Sequence, residues 1–325
     1  MTVGPDSADW MRPLGRTGLT VSAVTVGGGP LGSMPENFGY EVAAQDAVEL
    51  VQKVLASPIH TIDTANGYSG GESERRIGRG IAQYAAEHGA VPKDLLVITK
   101  VDARGGDYSG ERVRASVAES SERLGISPLP LVHLHDPEFH DFDAMSAPGG
   151  AVDTLVRLRE EGAVGHIGLA GGNVHEMARY LQLDVFEVLL VHNRWTLVDH
   201  SAEALIRDAR DRGMGIVNAA IYGGGILANP RSGSTTYGYR AAPPETLAAI
   251  AAMDELARRH GTDLATVALQ ASLRDPLVDT TVVGFSKPER IDAIVRSAKA
   301  ELPGELWDEL DALRPPPHAW LDARD

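Results

Sequence analysis

The sequence predicts an α/β fold, a closed (β/α)8 TIM barrel with an N-terminal β-hairpin and extra C-terminal helices. Eight short runs rich in β-branched residues alternate with amphipathic stretches along the 325 residues. This alternation implies parallel strands joined by helical crossovers, and eight such units can close a barrel. Length alone would suggest two domains, but α/β barrels often use this much chain. We therefore predict one domain over residues 1–325.

The eight predicted strands are short apolar runs. They cover residues 23–26, 60–62, 95–99, 131–134, 164–169, 188–191, 215–219 and 280–283. An open doubly wound sheet is the competing architecture, and we favour it less. No G-x-G-x-x-G motif follows the first strand, and Pro30 stands where a phosphate-binding helix would start.

Apolar residues spaced by three and four predict helices between the strands. The predicted helices lie near 44–56, 72–87, 110–124, 151–161, 174–182, 202–209, 245–258 and 291–298, with a final one after Pro303. Ser69 and Glu72 predict a capping box at the start of the second of these helices. Residues 12–21 predict a hairpin, and residues 1–10 resemble a loose tail.

Charge and composition exclude several classes of binding partner and of site chemistry. The formal net charge of −15 argues against nucleic acid or an anionic membrane surface. The absence of cysteine excludes disulfides, thiolate zinc sites and a cysteine nucleophile, and it suits a reducing compartment. No signal-peptide pattern or membrane-length apolar stretch is visible. We expect a soluble, cytoplasmic protein.

Four titratable residues fall at the ends of three consecutive strands. Asp63 follows the second strand, Tyr68 lies in the loop after it, Lys100 ends the third strand and His135 ends the fourth. Active sites of such barrels lie at this end, and neighbouring strands are about 4.8 Å apart. We therefore expect the four side chains to meet, in a combination that suits proton transfer. His133, one layer deeper on the same strand face, is interpreted as structural.

With these residues in place, the chain resembles the aldo-keto reductase superfamily over nearly its whole length. The similarity is carried by residues 63–68, 73–78, 98–100 and 134–136. The resemblance implies a catalytic tetrad formed by Asp63, Tyr68, Lys100 and His135. Taken singly, these residues have ordinary structural explanations: a turn cap for Asp63, loop packing for Tyr68, a surface lysine for Lys100 and a loop histidine for His135. Only the combination of all four is specific to the family.

The implied chemistry is hydride transfer between a nicotinamide and a carbonyl or carbinol carbon. Tyr68 would be the acid in reduction and the base in oxidation. Its phenol has an ordinary pKa near 10, and we expect the Lys100 ammonium, held by Asp63, to favour the phenolate. His135 would hydrogen-bond the substrate oxygen and orient it.

Three further segments resemble the sugar-oxidising branch of the family, which includes D-threo-aldose 1-dehydrogenase, L-fucose and L-galactose dehydrogenases and pyridoxal 4-dehydrogenase. They are residues 135–138, 194–199 and 220–227. Trp195 and Tyr222 are the candidate substrate residues. Trp195 fits core packing as well as it fits stacking on a sugar.

The predicted nicotinamide site departs from the family pattern. Where many members carry Ser-Asn after the fifth strand, this chain has Gly171 and Asn173, and Asn173 equally fits a cap for the next helix. Asn193 follows a histidine in place of the usual glutamine, and Asn218 stands near the position of the usual stacking aromatic. These four residues are the predicted contacts.

A phosphate site is predicted after the eighth strand. Ser286 and Glu289 predict a second capping box, and a helix N-terminus there suits a cofactor phosphate. Arg290 matches the arginine that contacts the 2′-phosphate in NADPH-using relatives, although a solvated basic face also explains the charges. The predicted contacts are Gly284, Ser286, Lys287 and Arg290.

The leading hypothesis is an NAD(P)-dependent enzyme that oxidises a small aldose or polyol, with NAD favoured over NADP by the branch resemblance. The alternatives are an NADPH-dependent aldehyde or ketone reductase and, in another class, a nucleotide-binding regulatory barrel resembling channel β-subunits. No metal site is predicted, because His133, His135 and Asp136 are explained otherwise. The small-molecule substrate and the oligomeric state stay open.

Overall fold

The computed structural model describes residues 3–35 and 39–323. Its strands are β1 (Met11–Pro13), β2 (Thr20–Ser22), β3 (Val24–Gly27), β4 (Thr61–Asp63), β5 (Leu96–Val101), β6 (Leu129–His135), β7 (Val164–Gly171), β8 (Val188–His192), β9 (Gly215–Ala219), β10 (Thr236–Tyr237), β11 (Arg240–Ala241) and β12 (Thr280–Gly284). The strands β3 to β9 and β12 form a closed parallel barrel, in which β12 pairs with both β3 and β9. The predicted (β/α)8 fold is confirmed.

Helices cover the outside of the barrel. They are α1 (Ala44–Leu55), α2 (Glu72–His88), α3 (Gly110–Leu124), α4 (Phe142–Ser146), α5 (Ala151–Glu160), α6 (Val174–Leu181), α7 (Glu203–Asp211), α8 (Pro244–Arg259), α9 (Leu264–Arg274), α10 (Glu289–Lys299) and α11 (Gly304–Ala312). The predicted helices, including the last one after Pro303, are therefore present. Among the described residues, no helix combines the length and the apolar character needed to cross a membrane.

The predicted N-terminal hairpin closes one end of the barrel. The strands β1 and β2 pair antiparallel, and Leu14 and Val21 are completely buried in one cluster with apolar residues of the barrel interior. At Gly15 the backbone has φ +55°, and a Cβ there would lie 2.2 Å from the amide nitrogen of Gly215. The hairpin turn therefore needs glycine for its close approach, and the opposite end of the barrel is left for a site.

The expectation of a loose tail at residues 1–10 is wrong for residues 3–10; residues 1 and 2 lie outside the described part. Val3 and Trp10 are buried in the main core. The indole nitrogen of Trp10 donates a hydrogen bond of 2.8 Å to the carbonyl of Pro58. This segment packs against the loop before β4 because its apolar residues cover the outer face of the barrel.

Both predicted capping boxes are wrong. The helix α2 starts after Gly71, which has φ 90° and no side-chain cap, while the Ser69 hydroxyl donates to the carbonyl of Ser33 at 3.0 Å. The helix α10 starts at Glu289 after Pro288, again without a side-chain cap, so Ser286 does not cap it. In each case the local S-x-x-E pattern is overridden by the turn that precedes the helix.

Candidate active site

A cleft of about 400 Å³ opens at the C-terminal end of the barrel strands. All four predicted catalytic residues line it. A larger groove of about 830 Å³ lies outside the barrel, between α6, α7 and the C-terminal segment, and contains none of these residues. Because the titratable cluster lies in the smaller cleft, the cleft is the candidate active site.

The Lys100 side chain connects the acid and the phenol of the cleft. Its Nζ lies 2.5 Å from Oδ1 of Asp63, 2.8 Å from the carbonyl oxygen of Thr64 and 3.4 Å from the hydroxyl oxygen of Tyr68. The Lys100 and Asp63 side chains are only 2% and 5% exposed. Neighbouring strand ends thus bring three predicted residues into hydrogen-bonding distance in a site with little water.

The electrostatics of this group favour a protonated phenol and a charged lysine. Burial raises the pKa of Tyr68 well above its ordinary value, although Lys100 opposes that effect. Burial alone would lower the pKa of Lys100, but the carboxylate of Asp63 outweighs it and the pKa is raised. Lys100 therefore acts on Tyr68 in the expected direction, towards the phenolate, but desolvation of the phenol is the larger effect and the net pKa is raised.

His135 enters the cleft from the end of β6, beside Tyr68. The two rings meet edge to face, with centroids 5.7 Å apart. The backbone around His135 is fixed by Tyr108, whose hydroxyl accepts from the His135 amide at 3.0 Å and donates to the carbonyl of Val101 at 2.7 Å. The imidazole therefore has a defined position next to the phenol.

Asp102, which the sequence analysis did not select, is paired with His135. The distance from Oδ1 of Asp102 to Nδ1 of His135 is 2.6 Å, and the other carboxylate oxygen accepts from the amide of Gly67 at 2.6 Å. Asp102 lies two positions after Lys100, so in an extended strand their side chains share a face. That spacing was the signal available in the sequence.

Among the predicted cofactor and substrate residues, Gly171, Gly284 and Tyr222 line the cleft. Arg290 lies close enough to Tyr222 for its charge to act on the phenol, although burial still raises the pKa of Tyr222. Asn173 does not line the cleft: its Oδ1 accepts from two backbone amides of α6, at 3.0 and 3.2 Å. Asn173 therefore caps α6, as its alternative interpretation predicted, and does not line the cleft as a cofactor contact would.

Asn218 and Trp195 are not at the cleft. The Asn218 side chain donates to the carbonyl of Trp195 at 2.9 Å and to the hydroxyl of Ser272 at 2.8 Å, and the Trp195 indole donates to Asp275 at 2.7 Å. Both side chains lie between the barrel and α9. The predicted cofactor contact of Asn218 is wrong, because Ala219, one residue along β9, occupies the inward-facing position. The predicted substrate contact of Trp195 is wrong, because its indole packs beside α9 and Asp275 instead.

At the end of β8 the cleft is lined by His192 rather than by Asn193. Asn193 is completely buried with φ +61°, and its side-chain nitrogen lies 3.1 Å from Nδ1 of His192. Its carbonyl accepts from the hydroxyl of Tyr237 at 2.7 Å. Asn193 therefore supports His192 and the following loop, and the prediction of a direct cofactor contact is corrected.

Glu138 occupies the space beside Gly171. Its Oε1 accepts from the backbone amides of Gly172 and Asn173, at 2.5 and 3.1 Å. Its Oε2 is buried without a hydrogen-bond partner among the described residues. A Cβ at Gly171 would lie 2.4 Å from this oxygen. The carboxylate therefore takes the place that a side chain at Gly171 would need.

The loop over the cleft is anchored by Tyr237. Its hydroxyl is 2.7 Å from the hydroxyl of Thr196, in addition to its hydrogen bond to the carbonyl of Asn193. Tyr237 belongs to the short strand β10, which pairs antiparallel with β11. Tyr239, in the turn between those strands, lines the cleft and is 65% exposed. This loop thus places the exposed ring of Tyr239 at the rim.

The chain is similar to proteins of known activity. The aldo/keto reductase family model matches residues 24–315. L-galactose dehydrogenase of Arabidopsis thaliana is 30% identical over 325 residues, covering 94% of each chain. D-threo-aldose 1-dehydrogenase of Pseudomonas sp is 28% identical, covering 91% of this chain and 95% of that protein. Pyridoxal 4-dehydrogenase of Microbacterium luteolum is also 28% identical, covering 92% and 96%.

A solved structure is similar over the same extent. The holo form of an aldo-keto reductase from Bacillus halodurans gives a TM-score of 0.75 at 21% identity, covering 97% of this chain and 99% of that one. At this identity the likeness supports the fold. The family resemblance inferred from the tetrad and the neighbouring segments is confirmed by the sequence matches.

Proposed function

Because the chain belongs to the aldo/keto reductase family, we propose that it is an NAD(P)-dependent dehydrogenase that oxidises a small aldose or polyol. One observation carries the proposal: a buried Lys100 links Asp63 to Tyr68 beside His135, in a cleft at the strand ends. A phenol, an ammonium and an imidazole around one cavity suit transfer of a proton at a substrate oxygen. An aldose would be oxidised at its anomeric carbon, which yields a lactone.

Each residue of the tetrad has a definite role in this chemistry. A nicotinamide held in the cleft would supply the acceptor for the hydride that leaves the substrate carbon. Tyr68 takes the proton from the substrate hydroxyl in oxidation and returns it in reduction. Lys100 stabilises the phenolate when it forms, and Asp63 keeps the ammonium charged. His135 hydrogen-bonds the substrate oxygen and orients it.

The cleft has features that fit a nicotinamide. Ala170, Gly171 and Ala219 line the cleft, and these small residues leave room for a planar nicotinamide ring. His192 lines the same cleft. Beyond β12, Gly284, Ser286, Lys287 and Arg290 would meet the phosphates.

The polar rim favours a hydroxylated substrate over a simple aldehyde. Atoms of Asp136, Glu138 and His192 lie within 4.8 Å of one another at the rim. Carboxylates and an imidazole can accept or donate hydrogen bonds to several hydroxyl groups. The named activities of three relatives, on L-galactose, D-threo-aldoses and pyridoxal, support a small hydroxylated substrate.

Steady-state reduction of NAD and of NADP, at alkaline pH with a panel of aldoses, polyols and pyridoxal, tests the proposal. We expect one hydroxylated substrate to reduce NAD more efficiently than NADP. Consumption of NADPH by simple aldehydes, without any oxidation of the panel, would instead support the reductase alternative, which the nearby Arg290 and the protonated Tyr68 favour. Tight nucleotide binding without turnover would support the regulatory barrel.

A further inference from the structure

The carboxylate of Asp102 contacts two groups of the cleft, the imidazole of His135 and the backbone amide of Gly67. We propose that Asp102 is a positioning residue, which keeps His135 as a positively charged hydrogen-bond donor and connects it to the loop that carries Tyr68. This inference rests on the proposed function, since it assigns His135 a task at the substrate oxygen. Neither the family motif nor the strand-end pattern selects Asp102.

The geometry leaves Asp102 little freedom. Its Oδ1 is 2.6 Å from Nδ1 of His135 and its Oδ2 is 2.6 Å from the amide nitrogen of Gly67. The side chains of His135 and Asp102 are 14% and 18% exposed. A Cβ at Gly67 would lie 2.9 Å from Cγ of Asp102. Since Gly67 precedes Tyr68, the carboxylate sets the spacing between the imidazole and the phenol-bearing loop.

This contact determines which nitrogen carries a proton. A carboxylate is only an acceptor, so Nδ1 of His135 must be the protonated nitrogen in this pair. In a neutral imidazole the remaining nitrogen, Nε2, is then an acceptor. Nε2 becomes a donor to a substrate oxygen only when the ring carries a second proton. The donor role of His135 therefore requires the imidazolium form.

The charged groups around His135 favour that form. Asp102 contacts one side of the ring, and Asp136 from the following turn lies 3.8 Å from Nε2. Lys100 is the positive charge nearby, and Tyr68 contacts the ring edge. His133 and His192 are also close, but burial lowers the pKa of each, so both are neutral. Burial alone would lower the pKa of His135, and the two aspartates raise it above its ordinary value.

The expected consequence is a pH-dependent oxyanion contact. A charged donor at Nε2 stabilises negative charge that develops on the substrate oxygen during transfer. Because the folded-state pKa is raised, the cation persists above the pH at which a free imidazole loses its proton. It disappears as the pH rises through that higher value.

The variant Asp102→Asn tests this role, because one amide oxygen cannot accept from both His135 and Gly67. We would follow His135 by NMR titration of histidine-labelled protein, assigning its signal by its absence in His135→Gln. We expect the pKa of His135 to fall in the variant. We also expect kcat/KM to fall by about 10- to 100-fold, the factor for one hydrogen bond to a charged group. The matched control is Glu111→Gln, an exposed acid in α3.

A double-mutant cycle separates this role from a structural one. If Asp102 acts through His135, Asp102→Asn should cost little further activity in the His135→Gln background. An undiminished cost there, or an unchanged pKa of His135 in Asp102→Asn, would overturn the proposal and assign Asp102 to the Gly67 contact alone. If the unaltered protein oxidises and reduces nothing, the proposed function fails, while the titration still decides whether Asp102 sets the protonation of His135.

Discussion

Nζ of Lys100 lies 2.5 Å from Oδ1 of Asp63, and solvent reaches almost none of either side chain. A buried ion pair of this kind costs desolvation energy on both partners, so its presence is weak evidence for stability. The pair is better explained by its second contact, from Lys100 to the hydroxyl of Tyr68 at 3.4 Å. In the proposed reaction, Asp63 keeps a positive charge beside the phenolate that would form at Tyr68.

Lys100→Met should destabilise the fold as well as stop turnover. Removing the ammonium leaves the Asp63 carboxylate buried without its counter-charge, which costs about 3–5 kcal/mol. Urea unfolding of the variant measures this loss, and the exposed Lys93→Met provides the control. In Asp63→Asn/Lys100→Met the loss should be smaller than in Lys100→Met, since no unpaired charge is left. An equal loss in the double variant would show that the charge is not the cause.

Tyr68→Phe should remove turnover and leave nucleotide binding intact. The substitution deletes only the proton-transferring hydroxyl, and such groups contribute about 10²- to 10⁴-fold to rate. Stopped-flow or steady-state kinetics measures the loss, and fluorescence titration measures the affinity for NAD. Tyr84→Phe on α2, where the ring stacks on His88, is the matched control. Turnover at the unaltered rate in Tyr68→Phe would refute the assignment of the tyrosine.

The two reaction directions should depend on pH in opposite ways. Because burial raises the pKa of Tyr68, the phenol is protonated at neutral pH and available as the acid in reduction. Oxidation needs the phenolate, so ionisation of Tyr68 should raise the kcat/KM of oxidation and lower that of reduction in the alkaline range, in addition to the loss that deprotonation of His135 causes. Profiles of kcat/KM in both directions measure this difference. An oxidation rate that levels off near neutral pH would contradict the raised pKa.

The cluster could be predicted from the sequence because three of its members lie at strand ends and Tyr68 follows in the loop after one of them. The ends of neighbouring strands lie close together in a barrel, so Asp63, Lys100 and His135 come together regardless of the loop conformations. The direction of the Tyr68 pKa shift could not be predicted in the same way. The shift depends on how far the assembled loops shield the phenol from solvent, and this shielding is a property of the whole cleft.

The error at Asn218 has a different physical cause. Along a strand, neighbouring side chains point to opposite faces, so an error of one position exchanges the cleft for the outer surface. Asn218 and Ala219 differ by one such step. The same alternation puts Asp102 on the face of Lys100, two positions earlier. This spacing was the sequence signal that Asp102, the partner of His135, belongs to the site. Glu138 lies in a segment that carries the resemblance, but its contact with Gly171 depends on the loop after β6 and could not be predicted.

Arg290 offers a direct test of coenzyme preference. If its guanidinium contacts the 2′-phosphate, Arg290→Ala should weaken NADP binding by about 10-fold or more, the factor for one charge-assisted hydrogen bond, and leave NAD binding unchanged. Isothermal titration with each nucleotide gives both affinities. Arg296→Ala, at an exposed position on the same helix α10, is the control. Equal weakening of NAD and NADP would place the charge near the pyrophosphate instead.

The C-terminal segment should contribute to stability through Asp322. Its carboxylate pairs with Arg194 at 3.0 Å and accepts from the amide of Val174 at the start of α6, and both charged side chains are nearly inaccessible to solvent. Asp322→Ala leaves the guanidinium buried and unpaired, so we expect a loss of about 3–5 kcal/mol in the free energy of unfolding. Asp311→Ala breaks a mostly exposed pair with Arg314 and should cost less than about 1 kcal/mol. Chemical denaturation distinguishes the two, and similar losses would show that the Arg194 charge finds other partners.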